Sequence, residues 1–154
     1  MRIQSCMQGR LSTKGEVVPV TLSEAHELIN SAHRRARELG TPITVAVVDE
    51  GGHLQALGRM DGAPPLSAEI AAHKAASVAL VRRDGAALRQ MQEAWPAFFN
   101  QLDRAAGRPI LAGAGSMLIR RADSVLGAIA VSGGLPQHDD ECAEAGIAGL
   151  TPSN

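Results

Sequence analysis

The sequence predicts an α+β fold, an antiparallel sheet of about five strands with helices packed on it, and three observations carry that prediction. Two pairs of strand-like runs are each joined by a tight turn, which forces antiparallel pairing: Ile43 to Val48 with the run from His53 to Met60, and Met117 to Arg120 with Val125 to Ser132. Helical patterns are grouped around these hairpins instead of alternating with single strands, an order that suits two layers with the helices on one face. A chain of 154 residues is also long enough to bury roughly 68–70% of its unfolded surface without disulfides.

Residues 1–20 carry Arg2, Arg10 and Lys14 among small and polar residues and read either as an arm or, from Glu16 to Val20, as an extra edge strand. A single domain is expected over residues 21–154. Its first helix runs from a Thr21 or Ser23 cap to Leu39, with Ala25, Leu28, Ile29, Ala32 and Ala36 at helical spacing and Gly40 and Pro42 as the stop. Ile43 to Val48 is apolar almost throughout, as expected of a central strand covered on both faces. Gly51-Gly52 makes the turn, and the next run alternates, with His53, Gln55, Leu57 and Arg59 on one side.

Ser67 is expected to cap an alanine-rich helix to Val81, and Asp84 a shorter one to Glu93. Pro96 breaks the chain before a helical segment from Phe98 to Ala106, and Pro109 to Leu111 suits a short strand before a Gly113 to Gly115 turn. After the second hairpin, Pro136 opens the last helix, where its missing N–H is harmless, and Asp139, Asp140 and Glu141 complement the positive end of the dipole.

Composition excludes several classes of function. With 15 basic and 16 acidic residues there is no electrostatic reason to bind nucleic acid, and Trp95, Phe98 and Phe99 cannot form a base-stacking platform; they are expected to plug one corner of the core. No segment offers the ~20 apolar residues of a membrane span, and Met1 to Val20 lacks a signal-peptide core, so a cytoplasmic protein is expected. Cys6 and Cys142 fit no zinc or redox spacing and read as two reduced thiols.

Leu22-Ser23-Glu24-Ala25, Ala46-Val47-Val48-Asp49 with Gly51-Gly52-His53-Leu54, Arg59-Met60-Asp61-Gly62-Ala63, Lys74-Ala75, and Gly127 to Gly134 follow one another in an order that resembles the haem-degrading, GlcG/HbpS-like family. That family includes the C-terminal domain of PduO-type cobalamin adenosyltransferases. The resemblance covers Thr21 to Leu150 and implies a profilin-like domain of two or three layers that assembles into homo-oligomers, dimers or higher, up to octamers. It also implies haem or a related tetrapyrrole as ligand for some members. The chain departs from the family pattern at Val81-Arg82-Arg83-Asp84 and at Gly113-Ala114-Gly115-Ser116.

Haem needs an axial donor, an apolar slot and cations for its propionates. No Cys-x-x-Cys-His is present, so covalent attachment is excluded. His53, His73 and Arg82 are assigned to such a cofactor, although a solvated strand face for His53 and a Glu69–His73 surface pair account for the same residues. Lys74 shares a helix ridge with Ile70, Ser77 and Val81; its stem is expected to be buried, its ammonium clamping an acidic ligand or pairing with Asp49 or Asp61. Lys74 and Asp61 are the catalytic candidates, and Arg59, Gly133 and Gly134 the substrate-binding ones, although Asp61 before Gly62 also reads as a turn former.

His138, Glu141 and Cys142 share a helical face but lack a remote fourth ligand, so no metal site is assigned, and His26 and His33 read as solvated. Three readings follow from these residues and the resemblance. One is a protein binding or degrading haem; another is a lyase or isomerase of small organic or aromatic acids using Lys74, Arg59 and Asp61, with a non-catalytic accessory oligomer as a third reading.

Overall fold

The apolar run after Pro42 becomes strand β1 (Thr44–Asp49), a buried central strand of a four-stranded sheet in the computed structural model, which describes residues 18–150. Helix α1 (Leu22–Leu39) precedes it and β2 (Leu54–Arg59) follows; then come α2 (Ser67–Val81), α3 (Gly85–Ala94), α4 (Pro96–Phe99), α5 (Leu102–Ala106), β3 (Ser116–Arg121), β4 (Ser124–Ser132) and α6 (Pro136–Ala148). The sheet order is β2-β1-β4-β3 and every neighbouring pair is antiparallel. The two hairpins therefore lie side by side, joined where Thr44 faces Ser132 and Asp49 faces Gly127.

Helices cover both faces, which makes three layers. Because successive side chains of a strand alternate, Val45 and Val47 join Ile129 and Val131 against Leu28, Ala32 and Ala143 of α1 and α6, while Ala46, Ala128 and Ala130 meet Ala71, Ala75 and Val78 of α2. Small residues on both sides of the second interface let α2 approach the sheet closely. This proximity later sets how deep Lys74 lies.

Several expectations need correction. Among the described residues the sheet has four strands, since the Pro109–Leu111 segment is irregular: its amides are taken by side chains, Ile110 N–H by Asp103 at 2.9 Å and Leu111 N–H by Ser77 Oγ at 2.9 Å. Most of the proposed Glu16–Val20 strand lies outside the described residues; Val20 itself is irregular, buried, and donates to the Leu126 carbonyl at 3.0 Å.

Thr21 does cap α1, in a reciprocal box with Glu24, but Ser67 and Asp84 cap nothing with their side chains. Ser67 Oγ bonds the Pro64 carbonyl and Thr44 Oγ, both at 2.6 Å, and Asp84 accepts from Leu118 N–H at 2.7 Å. Of the aromatics only Phe99 is buried; Trp95 and Phe98 are exposed. Among the described residues no helix is long and apolar enough to cross a membrane.

Candidate functional site

Helix α2 carries Lys74 to the bottom of a cavity of about 520 Å³, floored by β4 and closed by the Leu111–Ala114 segment and the start of α6. The side chain is 8% exposed, and its Nζ donates to the Val131 carbonyl at 2.6 Å with Asp139 Oδ2 at 3.8 Å. The expected Asp49 or Asp61 partner is thus replaced by Asp139, whose other oxygen accepts from Gly134 N–H at 3.0 Å. Burial pushes the Lys74 amine below its usual range, against the opposing pull of Asp139 and Asp140. Burial likewise pushes the Asp139 carboxyl up, against Lys74 and the Gly134 amide. Both partners are drawn toward their neutral forms.

Ser132 and Gly134 line this cavity with Lys74, and Arg89 joins it from α3. By its place in the sequence Asp139 is expected only to complement the α6 dipole. The signal for it is a lysine expected to be buried on α2, which needs a carboxylate, set against three acids opening α6 without a lysine or arginine on their own helix.

A second groove, of about 450 Å³, lies between β2 and α2 and is lined by Val48, His53, Leu54, Ala72, His73, Ala76 and Arg108. Its shape begins at the β1–β2 turn. Gly52 adopts φ +78°, and Asp49 Oδ1 accepts from Gly51 N–H and His53 N–H, each at 2.9 Å. The same carboxylate lies 3.2 Å from His53 Nδ1 through both oxygens. Partial burial alone would raise the Asp49 carboxyl, but these amide and ring contacts outweigh it and hold it below its usual value.

A register shift between Val47 and Val48 breaks the simple alternation of β2: Leu54 pairs with Val48 and Leu57 with Ala46, which puts both leucines on the α2 side. His53, in the turn before β2, and His73 of α2 line the same groove. Arg108 holds the groove's rim by donating to the Gly52 carbonyl at 3.0 Å.

The other candidates are dispersed. Arg59 donates to the Ala63 carbonyl at 2.9 Å, Asp61 is exposed in the following turn, and Arg82, at φ 58°, lines a separate hollow with Glu50 and Ser124. Gly133, at φ +122°, backs onto Pro42 and Ile43. His33 is not solvated: it reaches the Gly58 carbonyl at 3.1 Å, where the missing Cβ of Gly58 leaves room for its ring. His138 contacts Thr41, Glu141 pairs with Arg35 at 2.7 Å, and Cys142 is buried with its thiol pushed up to about 11 by desolvation, so these three residues face different partners.

The family profile described as "Haem degrading protein HbpS-like" matches residues 20–148. The chain belongs to the HbpS-like haem-degrading family. Corrinoid adenosyltransferase PduO of Salmonella typhimurium is 30% identical over 138 residues, 88% of this chain and 40% of that protein. The HbpS-like chain thus spans about two fifths of the curated relatives it matches first, at 41% and 40% of their lengths.

Among solved structures, that of HbpS superposes with TM-score 0.78 at 27% identity, covering 97% of this chain and 100% of that one. A PduOC:haem complex superposes with TM-score 0.77 at 25% identity over 86% and 96%. In this HbpS-like chain the adjacent residues His73 and Lys74 serve different cavities, because successive helical side chains lie about 100° apart.

Proposed function

We propose that the chain binds haem or a related tetrapyrrole in the groove between β2 and α2, where His53 would hold the iron. The observation that carries this reading is the Asp49–His53 contact. A carboxylate on Nδ1 fixes the ring tautomer and leaves Nε2, on a side chain 74% exposed, as the ring nitrogen for a metal. The rest of the lining suits the group. Leu54, Ala72 and Ala76 give an apolar wall for a macrocycle, His73 offers a second imidazole, and Arg108 is the cation for a propionate, a role that Arg82 in its separate hollow does not share. The family and the haem complex of PduOC support the same ligand.

Haem held there would supply oxygen-activating redox chemistry. The chain's own residues orient the donor nitrogen, neutralise a propionate and cover one face of the ring. Leu54 is 56% and Leu57 38% exposed on the edge strand beside His53, so the opposite side is left to a second copy of the chain, and we assign binding to a homo-oligomer.

Haem titration tests this directly. A saturable Soret shift at micromolar haem, lost in His53→Ala and accompanied by a shift toward larger assemblies in light scattering, is the expected result. No Soret shift, or one unchanged in both His53→Ala and His73→Ala, excludes the groove.

A further inference from the structure

We propose that the cavity over Lys74 is a second ligand site, for a small α-oxo acid, in which the Lys74 amine attacks the substrate carbonyl and forms an imine. Of the 15 basic residues, all but Lys14 and Lys74 are arginines. Arginine is the usual choice for a buried ion pair because its charge is fixed and its hydrogen-bonding fork is preorganised; lysine loses its proton when desolvated and becomes a nucleophile. At the most enclosed basic position of the described chain the residue is nevertheless a lysine, and it lines a cavity.

The geometry supplies the remaining parts. Val131 O and Asp139 hold Nζ, and Gly113 has no side chain where a Cβ would stand 3.3 Å from Lys74 Cε. Asp139 offsets the charge of Lys74, so Arg89, the other cation of the lining, is left for a substrate carboxylate. Ile70, Leu111 and Pro136 give apolar walls for a short side chain.

The step balances without another reactant. Asp139 takes a proton from Lys74; the neutral amine forms the C–N bond as the carbonyl π pair moves to oxygen, and one nitrogen proton passes to that oxygen. Asp139 then returns its proton to the hydroxyl, which leaves as water, and a protonated imine remains beside the Asp139 carboxylate. Burial favours the first transfer by drawing both groups toward neutrality.

The test uses the full chain, pyruvate and sodium borohydride, which reduces an imine to a stable secondary amine, followed by peptide mapping by mass spectrometry. Adducts can form only at Lys74, Lys14 and the α-amino group, so the assignment is unambiguous. The expected result is one saturable adduct on Lys74, with trapping slowed about tenfold or more in Asp139→Asn, which keeps the Gly134 contact. Half-saturation should move to about tenfold more pyruvate or beyond in Arg89→Ala, on the scale of a lost charged contact. No adduct, or adducts confined to Lys14 and the α-amino group, overturns the proposal, and the haem titration is unaffected by either outcome.

Discussion

Lys74 Nζ donates to the Val131 carbonyl at 2.6 Å, so the amine of α2 is tied to the end of β4 and held 3.8 Å from the Asp139 carboxylate of α6. Helix α2 thus meets, through one nitrogen, the end of β4 and the start of α6, which follow one another in the chain 57 residues and more beyond Lys74. The contact uses a strand carbonyl at Val131, next to Ser132, the last residue to pair with β1.

Removing one partner of this pair leaves a buried charge uncompensated. Lys74→Met and Asp139→Leu are each expected to lower unfolding free energy by about 3–5 kcal/mol in urea denaturation, while the double variant recovers most of the loss, because a packed apolar pair of similar volume replaces two desolvated ions. Additive losses in the double variant would show that the two side chains act independently.

His33 gives a pH signature. Burial lowers its folded-state pKa below the ordinary 6.5, with Arg37 adding to the effect and the Gly58 hydrogen bond opposing it. Above 6.5 the ring is neutral in both states and its contribution is complete; as pH falls from there through the folded value, the unfolded state takes up more protons and stability drops. Melting curves between pH 7 and pH 5 should show this decline, and His33→Gln, which keeps a donor without a titrating ring, should flatten it. An unchanged slope in the variant would place the decline elsewhere.

Much of the scaffold is legible in residue types because it is local. Gly51-Gly52, the apolar Ile43 to Val48 run and Pro136 each act on their own neighbours, and the structure keeps each as read. What failed was long-range. Pro109 to Leu111 has the composition of a strand, but its amides are satisfied by Asp103 and Ser77, which no periodicity reveals. Burial of the Lys74 stem followed from its ridge; its partner, Asp139, is fixed only by how α6 lands on β4. The register shift at Val47 likewise sends Leu54 to the side where strict alternation would not put it.

Asp84 stands at the start of α3 but spends its carboxylate on β3. Leu118 is 6% exposed, so Asp84→Ala strands a buried amide and is expected to cost about 1–3 kcal/mol, whereas Asp84→Asn keeps an acceptor and costs about 1 kcal/mol or less. Equal losses in the two variants would assign the effect to charge at the helix start instead.

Asp49 connects the hairpin to the proposed haem donor, and the two roles separate by substitution. Asp49→Asn retains an oxygen for the Gly51 and His53 amides, so the turn should persist and the melting temperature should move little. It loses the anionic partner of His53 Nδ1, and carboxylates in that position set ligand basicity and ring orientation, so haem affinity should fall about 10–100-fold. Asp49→Ala removes both and should lose stability as well as haem. Soret titration of the three proteins, read beside their melting curves, distinguishes these cases. Wild-type affinity in Asp49→Asn would mean that the carboxylate only builds the turn and does not orient His53 for haem.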